Sequence, residues 1–549
     1  MLTGSHSGSV GSITCNRSVK RLAGVVLVGA VLSACGASPG GGTPSSPVGA
    51  TAGADRSDDG PPREGNLVEA PQSGRPVGAP QSAHLVATKI ASGDRPVAAE
   101  ALRSLGDAAA ITAVEGYEKI REKTQWDAPV IGLIRAGQSV RLRSAAPLRG
   151  NGVGLCAGGW YAVEPRGFVC LGPASTLAND DPRALAAAEV LPDASAPYPF
   201  HYGVSVGAPR YHRIPSRAEQ RRLESGLDRH LANLPAPDDA LGGAVDARPA
   251  GVAPSPAFLR YTALVQKPLV ADEDAFVGMK VSWAREFDAE GRTWLETPDL
   301  TLIPKDKVRT GKRPDMHGVD LRVDKDFRLP LAFLWLDDVP KLTKDATGNL
   351  VESGESWPRH GFVPVTETLV RGKGGLYVKT RDGHYLRSDL VTVIRSGKGR
   401  PKGVGPKDKW VSVKVTRGYL VAYEGDTPVY ATAVSPGIDG ILPREHATRR
   451  GQYTVGWKML SADMAGEEKG KDWLVDEVPF VAYYKGNYAL HGAFWHDEFG
   501  RPKSHGCVNL APADAQFLFR WMDPALPEGW YAAAAYYPHI KGTAIDVQP

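Results

Sequence analysis

Three things are scarce or missing in this chain of 549 residues, and each absence excludes a class of protein. No apolar run approaches the ~20 residues that a membrane-spanning helix needs. Charge of one sign is not in excess: Lys and Arg total 65 against 61 Asp and Glu, a net of +4. That balance argues against a nucleic-acid partner, whose binders gather basic residues into a stripe or patch. Cysteine is rare, with five in the chain, and no two of them have the C-x2–4-C spacing of a structural zinc site. Glycine and proline, by contrast, are abundant at 62 and 44 residues, and the length allows three or four domains with ample core.

The first 35 residues read as a targeting segment. Arg17, Lys20 and Arg21 precede an apolar run over residues 22–31, too short for a span. Leu32-Ser33-Ala34-Cys35 follows and resembles the lipobox of bacterial lipoproteins. The resemblance implies cleavage before Cys35, lipidation there, export, and a membrane held through the N-terminal lipid. The competing reading is an ordinary signal peptide with a chance Cys. Gly36 is not the acidic residue that retains lipoproteins in an inner membrane, so the expected site is periplasm-facing on an outer membrane. Residues 36–95 are Gly/Pro/Ala/Ser-rich and read as a tether that cannot fold. In an oxidising compartment Cys156 and Cys170, fourteen apart in one β-rich stretch, are expected to pair. Cys15 leaves with the leader, and Cys507 remains free.

Between the tether and the C-terminal domain the pattern is mainly short strands. Residues 96–250 form an N-terminal β module with a helical and linker segment. An Ala-rich stretch over residues 97–117 is expected to be helical, and so is 217–234. Strands begin near Pro129 and resemble a small bacterial Src-homology-3-like barrel. Trp160, Tyr161 and Phe168 fit its core better than a peptide groove. Residues 251–394 read as middle β modules, with FLRYTALV taken as a strand. Residues 395–408 are a Gly/Pro/Lys-rich linker. The last domain, 409–549, opens as a β-meander and has a polar flap at 463–472. A single helix follows at 512–522, with Pro512 at its start, Asp514 in its first turn and no capping side chain at Ala511.

The chemistry concentrates in YALHGAFWHDEFGRPKSHGCVNL, residues 488–510. A free thiol is only a few per cent ionised at neutral pH, so a Cys nucleophile needs a base beside it. His491 can supply one if strand, loop and turn fold back as a hairpin-like unit. Gly506 permits a tight turn before Cys507, which can aim backbone N–H groups at an oxyanion. Ser504 and Asn509 are short polar residues suited to that turn or to a substrate amide. His496 and Asp497 read as exposed loop. These residues allow two rival readings. His491, His496, His505 and Cys507 could be counted as zinc ligands, but the two tight pairs of a structural site and His-Glu-x-x-His are both missing. A papain-like order fails because the Cys there precedes the His.

His491-Gly492 followed by Ser504-His505-Gly506-Cys507-Val508-Asn509 resembles the signature of L,D-transpeptidases with a YkuD-type catalytic domain. The resemblance covers about the last quarter of the chain. It implies a cysteine acyltransferase of peptidoglycan biosynthesis that needs no cofactor and no metal. Cys507 would attack the L,D bond of a stem tetrapeptide and release D-alanine, with His491 moving the proton. The amides of His505, Gly506 and Cys507 would hold the oxyanion, with Ser504, Asn509 and Gly492 around the substrate. The acceptor would be an amine. With water instead, the enzyme would be an L,D-carboxypeptidase or endopeptidase, and with no chemistry, a wall-binding lipoprotein. The fold class expected is mainly β: a β-rich catalytic domain with one short helix after the Cys motif, preceded by small β-barrel-like modules.

Overall fold

The computed structural model describes residues 109–150, 156–234, 252–397, 399–441, 444–468, 471–535 and 540–549. The leader with Cys35 and the tether of residues 36–95 lie outside these. The described chain is mainly β, with one short helix, Pro512–Trp521, after the Cys motif.

The C-terminal domain is built on a six-stranded sheet. Its order is Val319–Asp320, Thr427–Ala433, Tyr419–Glu424, Lys409–Lys414, Ala544–Gln548 and Gly451–Thr454. Successive side chains on a strand point to opposite faces, and here both faces are covered. Val411, Val413, Leu420 and Ala422 enter one core with Leu518 and Phe519 of the helix. Trp410, Tyr419, Val421 and Tyr423 enter a second core with Phe333 and Ile394 of the middle region. The central strands therefore carry apolar residues on both faces, as in a sheet buried on both sides.

The second sheet takes strands from all three regions of the chain. Its spine is a long hairpin, Trp457–Glu468 and Lys471–Lys485. On one side Ala532–Ala534 pairs with the hairpin, and Val130–Arg135 of the N-terminal region pairs with that in turn (Gly132↔Ala533, Leu133↔Ala532). On the other side Lys280–Trp283 joins it in parallel at Val475↔Lys280, followed by His201–Ser205. Residues 331–394 make a separate seven-stranded sheet around Ala332, Leu334, Val363, Val378 and Leu386.

Several local expectations change. Within the Ala-rich stretch, the described residues form strands Ala110–Ala113 and Tyr117–Arg121 rather than helix. Ile111, Ala113 and Ile120 are fully buried in the core they share with Val140 and Trp530, so packing overrides the helical preference of alanine. FLRYTALV is helical, within Pro256–Val265. Ser255 Oγ accepts from the Phe258 amide at 3.0 Å, Pro256 holds the first position, and Phe258 and Tyr261 bury one face. The expected flap is strand on both sides, within the long hairpin. Trp160 and Tyr161 are core, 1% and 0% exposed. Cys156 and Cys170 are bonded, with Cα atoms 5.7 Å apart. Asp514 is buried instead of serving a solvated helix end. It accepts from the Gly318 amide at 2.6 Å and the Tyr430 hydroxyl at 2.6 Å, which ties the middle region to the helix.

Candidate active site

Strands Tyr488–Gly492 and Val508–Leu510 lie side by side in parallel, with Leu490↔Val508, His491↔Asn509 and Gly492↔Leu510 opposite one another. This differs from the expected hairpin-like unit. Parallel neighbours cannot be joined by a tight turn, so residues 493–507 form a crossover. Cys507 is the residue before the second strand.

His491 is 2% exposed. Its Nδ1 lies 3.2 Å from the Gly492 carbonyl oxygen, which only accepts, so the proton is on Nδ1 and Nε2 keeps its lone pair. Burial brings the imidazole down to about 4, and the ring is neutral at neutral pH. Cys507 is the one free cysteine among the described residues and is half-buried. Burial pushes its thiol up to about 11, partly offset by the Ala489 amide, and Sγ donates to the Asn487 carbonyl at 3.5 Å. Both groups thus rest uncharged. The arrangement suits a base that takes the thiol proton as attack proceeds rather than a preformed ion pair.

Ser504 staples the motif turn. Its Oγ donates to the Cys507 carbonyl at 2.5 Å and accepts from the Gly506 amide at 3.1 Å. The Gly506 N–H is therefore already used, which removes it from the expected oxyanion donors in this state. Gly506 has φ +126, and a Cβ there would sit 2.9 Å from Tyr488 Cε1. Conformation and space both require glycine. Thr448 Oγ1 donates to the Gly506 carbonyl at 2.9 Å and accepts from Gly437 at 2.8 Å. Ser435 and Asn509 exchange two backbone bonds of 2.9 Å. Gly492 serves packing: a Cβ would meet Pro479 Cγ at 2.9 Å and Ala515 Cβ at 3.4 Å.

The expected loop residues are less exposed than their composition suggests. His496 is half-buried, and its Nε2 lies 2.9 Å from the Asn509 side-chain amide. Burial lowers it to about 4. The His505 ring stacks on Trp473 of the long hairpin at 5.3 Å and meets His446 edge-on at 4.7 Å. The His491 ring stacks on Trp495 at 5.9 Å. Cys507 also packs beside an apolar cluster that includes Phe494 with Phe200 and Tyr202 from the N-terminal region. Tyr202 and Phe494 stack at 3.9 Å. Nothing in the local sequence marks His446, Trp473 or Tyr202 as neighbours of the motif. Among the described residues no three His, Cys, Asp or Glu side chains gather as metal ligands.

Residues 408–547 match the family model of YkuD, the L,D-transpeptidase catalytic domain. The chain carries that catalytic domain at its C-terminal end, and His491, Cys507 and the strands around them lie within it. Solved structures with similar segments include an L,D-transpeptidase from Xylanimonas cellulosilytica, at 22% identity over 27% of this chain and 64% of that one, with a TM-score of 0.18. This chain therefore spans just under two thirds of that protein. The catalytic domain of the E. faecium L,D-transpeptidase matches at 20% identity over 26% and 98% of the two chains, with a TM-score of 0.20. An L,D-transpeptidase from Mycobacterium smegmatis matches at 16% identity over 42% and 88%, with a TM-score of 0.21. No curated protein matches the chain.

Proposed function

We propose that this protein is a peptidoglycan L,D-transpeptidase in which Cys507 is the nucleophile and His491 the general base. One observation carries the reading: Nδ1 of buried His491 is committed to the Gly492 carbonyl, leaving Nε2 as a proton acceptor on the strand beside the one Cys507 precedes. Cys507 Sγ attacks the carbonyl of the L,D bond between the third and fourth residues of a stem peptide. Its proton passes to Nε2 and an S–C bond forms. The amide of Cys507 itself is the oxyanion donor that this reading uses. The tetrahedral centre collapses, the C–N bond breaks, and the imidazolium returns the proton to the departing D-alanine amine. An acceptor amine then attacks the thioester, loses a proton through His491, and the C–S bond breaks to restore the thiol. A thiol, a base and oriented amides suffice for these steps. Export and lipid anchoring at Cys35 belong to the same proposal and rest on the leader sequence.

The test is intact mass after mixing the protein with a purified tetrapeptide stem and an amine acceptor, wild type beside Cys507→Ala. A Cys507 adduct that loses D-alanine and yields joined product is expected. Trimmed tripeptide without joined product would make the enzyme a carboxypeptidase. No adduct on folded protein with several stem types would leave a wall-binding protein.

A further inference from the structure

The crossover between the two catalytic strands is held by a part of the chain outside the catalytic domain. Arg359, in the middle region, donates from Nη2 to the Asp497 carbonyl at 3.2 Å, and its Nη1 lies 3.2 Å from Asp497 Oδ2. His360 places Nε2 3.2 Å from the same carbonyl. It does so from a left-handed backbone conformation, φ +64, that non-glycine residues rarely adopt. The Arg501 guanidinium lies 3.6 Å from the centre of the Trp335 ring. Phe499 is fully buried in the core that holds Phe333, which itself stacks on His360 at 6.1 Å. The crossover is thus gripped at residues 497, 499 and 501, all from the middle region.

The grip lies directly beside the chemistry. Asp497 follows His496, whose ring meets the Asn509 side chain, and Asn509 stands opposite His491 in the parallel pair. On the other flank Trp495 stacks on His491. We infer that Arg359 and His360 are positioning residues for the transfer reaction. By fixing Asp497 they hold Trp495 against the base and His496 against Asn509, so the middle region completes the active site without touching the substrate. The inference rests on Cys507 and His491 being the reacting groups, as proposed above. Its consequence is kinetic: a loosened crossover lets the base and the motif turn wander, and small displacements of reacting groups are costly in rate.

The experiment compares Arg359→Ala, Arg359→Lys and Asp497→Asn with the wild-type chain. Amide hydrogen exchange over residues 495–501 is read beside the kinetics of D-alanine release from a tetrapeptide stem. Arg359→Ala should speed exchange in that segment alone by about tenfold. It should lower kcat by about tenfold with KM changed less than about twofold. Arg359→Lys, which keeps the charge but loses the fork, should recover part of both. Asp497→Asn keeps the backbone carbonyl and should fall between wild type and Arg359→Ala. His496, faced by Glu498, Lys503, Asp497 and His491, should titrate at higher pH once its segment loosens. Unchanged exchange in 495–501 would overturn the inference, as would a loss of kcat no larger than the loss of folded protein. If the wild type releases no D-alanine, the functional reading fails, while the exchange and His496 titration still judge the clamp.

Discussion

Arg135→Met should be among the most damaging single changes in the protein, although it lies outside the catalytic domain. Arg135 and Glu477 form a two-pronged pair at 2.5 and 2.9 Å, with side chains 9% and 8% exposed. Arg135 also donates to the Tyr531 hydroxyl at 2.7 Å, and Tyr202 donates to the Glu477 carbonyl at 3.0 Å. Methionine fills much of the space but leaves the Glu477 carboxylate buried without its cation. Breaking a buried pair from one side costs about 3–5 kcal/mol. A large domain loses about 2 °C per kcal/mol, so Tm should fall by roughly 6–10 °C. The comparison that tests the reasoning is Arg135→Met with Glu477→Gln, which removes both charges. The double variant should recover at least about half of the loss, since the penalty comes from the stranded carboxylate. Chemical denaturation of all four proteins gives the coupling directly. A loss under about 1 kcal/mol for Arg135→Met, or strict additivity in the double variant, would refute the argument.

Two further expectations concern titration. The Cys507 thiol is raised to about 11, so its alkylation by iodoacetamide should keep rising with pH well past 9. A plateau between pH 7 and 8.5 would mean an ion pair already formed with His491. Lys458 is 1% exposed and donates to the carbonyls of Met522 at 2.7 Å and Pro524 at 2.9 Å, and to that of Phe519, closing the end of the motif helix. Lys458→Met should destabilise the protein by about 2–4 kcal/mol, the cost of leaving such carbonyls unpaired. Burial lowers Lys458 to about 7 from 10.5. Between these values the unfolded chain binds the extra proton, so the lysine's contribution grows as pH rises across that window. Denaturation of wild type and variant at pH 6.5 and 9.5 should show the gap between them widening; a gap that narrows would contradict the sign.

The candidate pair is legible because His491 and Cys507 sit in one short string whose residue types carry chemistry by themselves. The helix at Pro512–Trp521 was equally readable from its spacing and from Pro512. The parallel pairing of their strands was not, since neither strand's composition tells which way its neighbour runs. His496 looked like solvated loop because its burial comes from the Asn509 side and from the middle region's hold on Asp497 and Phe499. The helix at Pro256–Val265 differs from the strand expected there, although Ser255 and Pro256 are a helix start. Its apolar residues resemble a strand's run, while the i, i+3 spacing of Phe258 and Tyr261 carries the helical signal. Arg135 and Glu477, 342 positions apart, have no local signature at all.

The strand Val130–Arg135 has a consequence for how the protein is made. One of its partners is Ala532–Ala534, near the far end of the chain, and Arg135 reaches a hydroxyl 396 positions away. A ribosome delivers the N-terminal region first, long before that partner arrives. The early segment must wait with a sheet edge unpaired, and such edges are where nascent chains stick to one another. Closure of such long loops is slow. Maturation of this protein is therefore paced by residues 530–534: a chain stalled or cut short of Trp530 leaves one edge of Val130–Arg135 open and Trp530 and Tyr531 missing from the cores they fill.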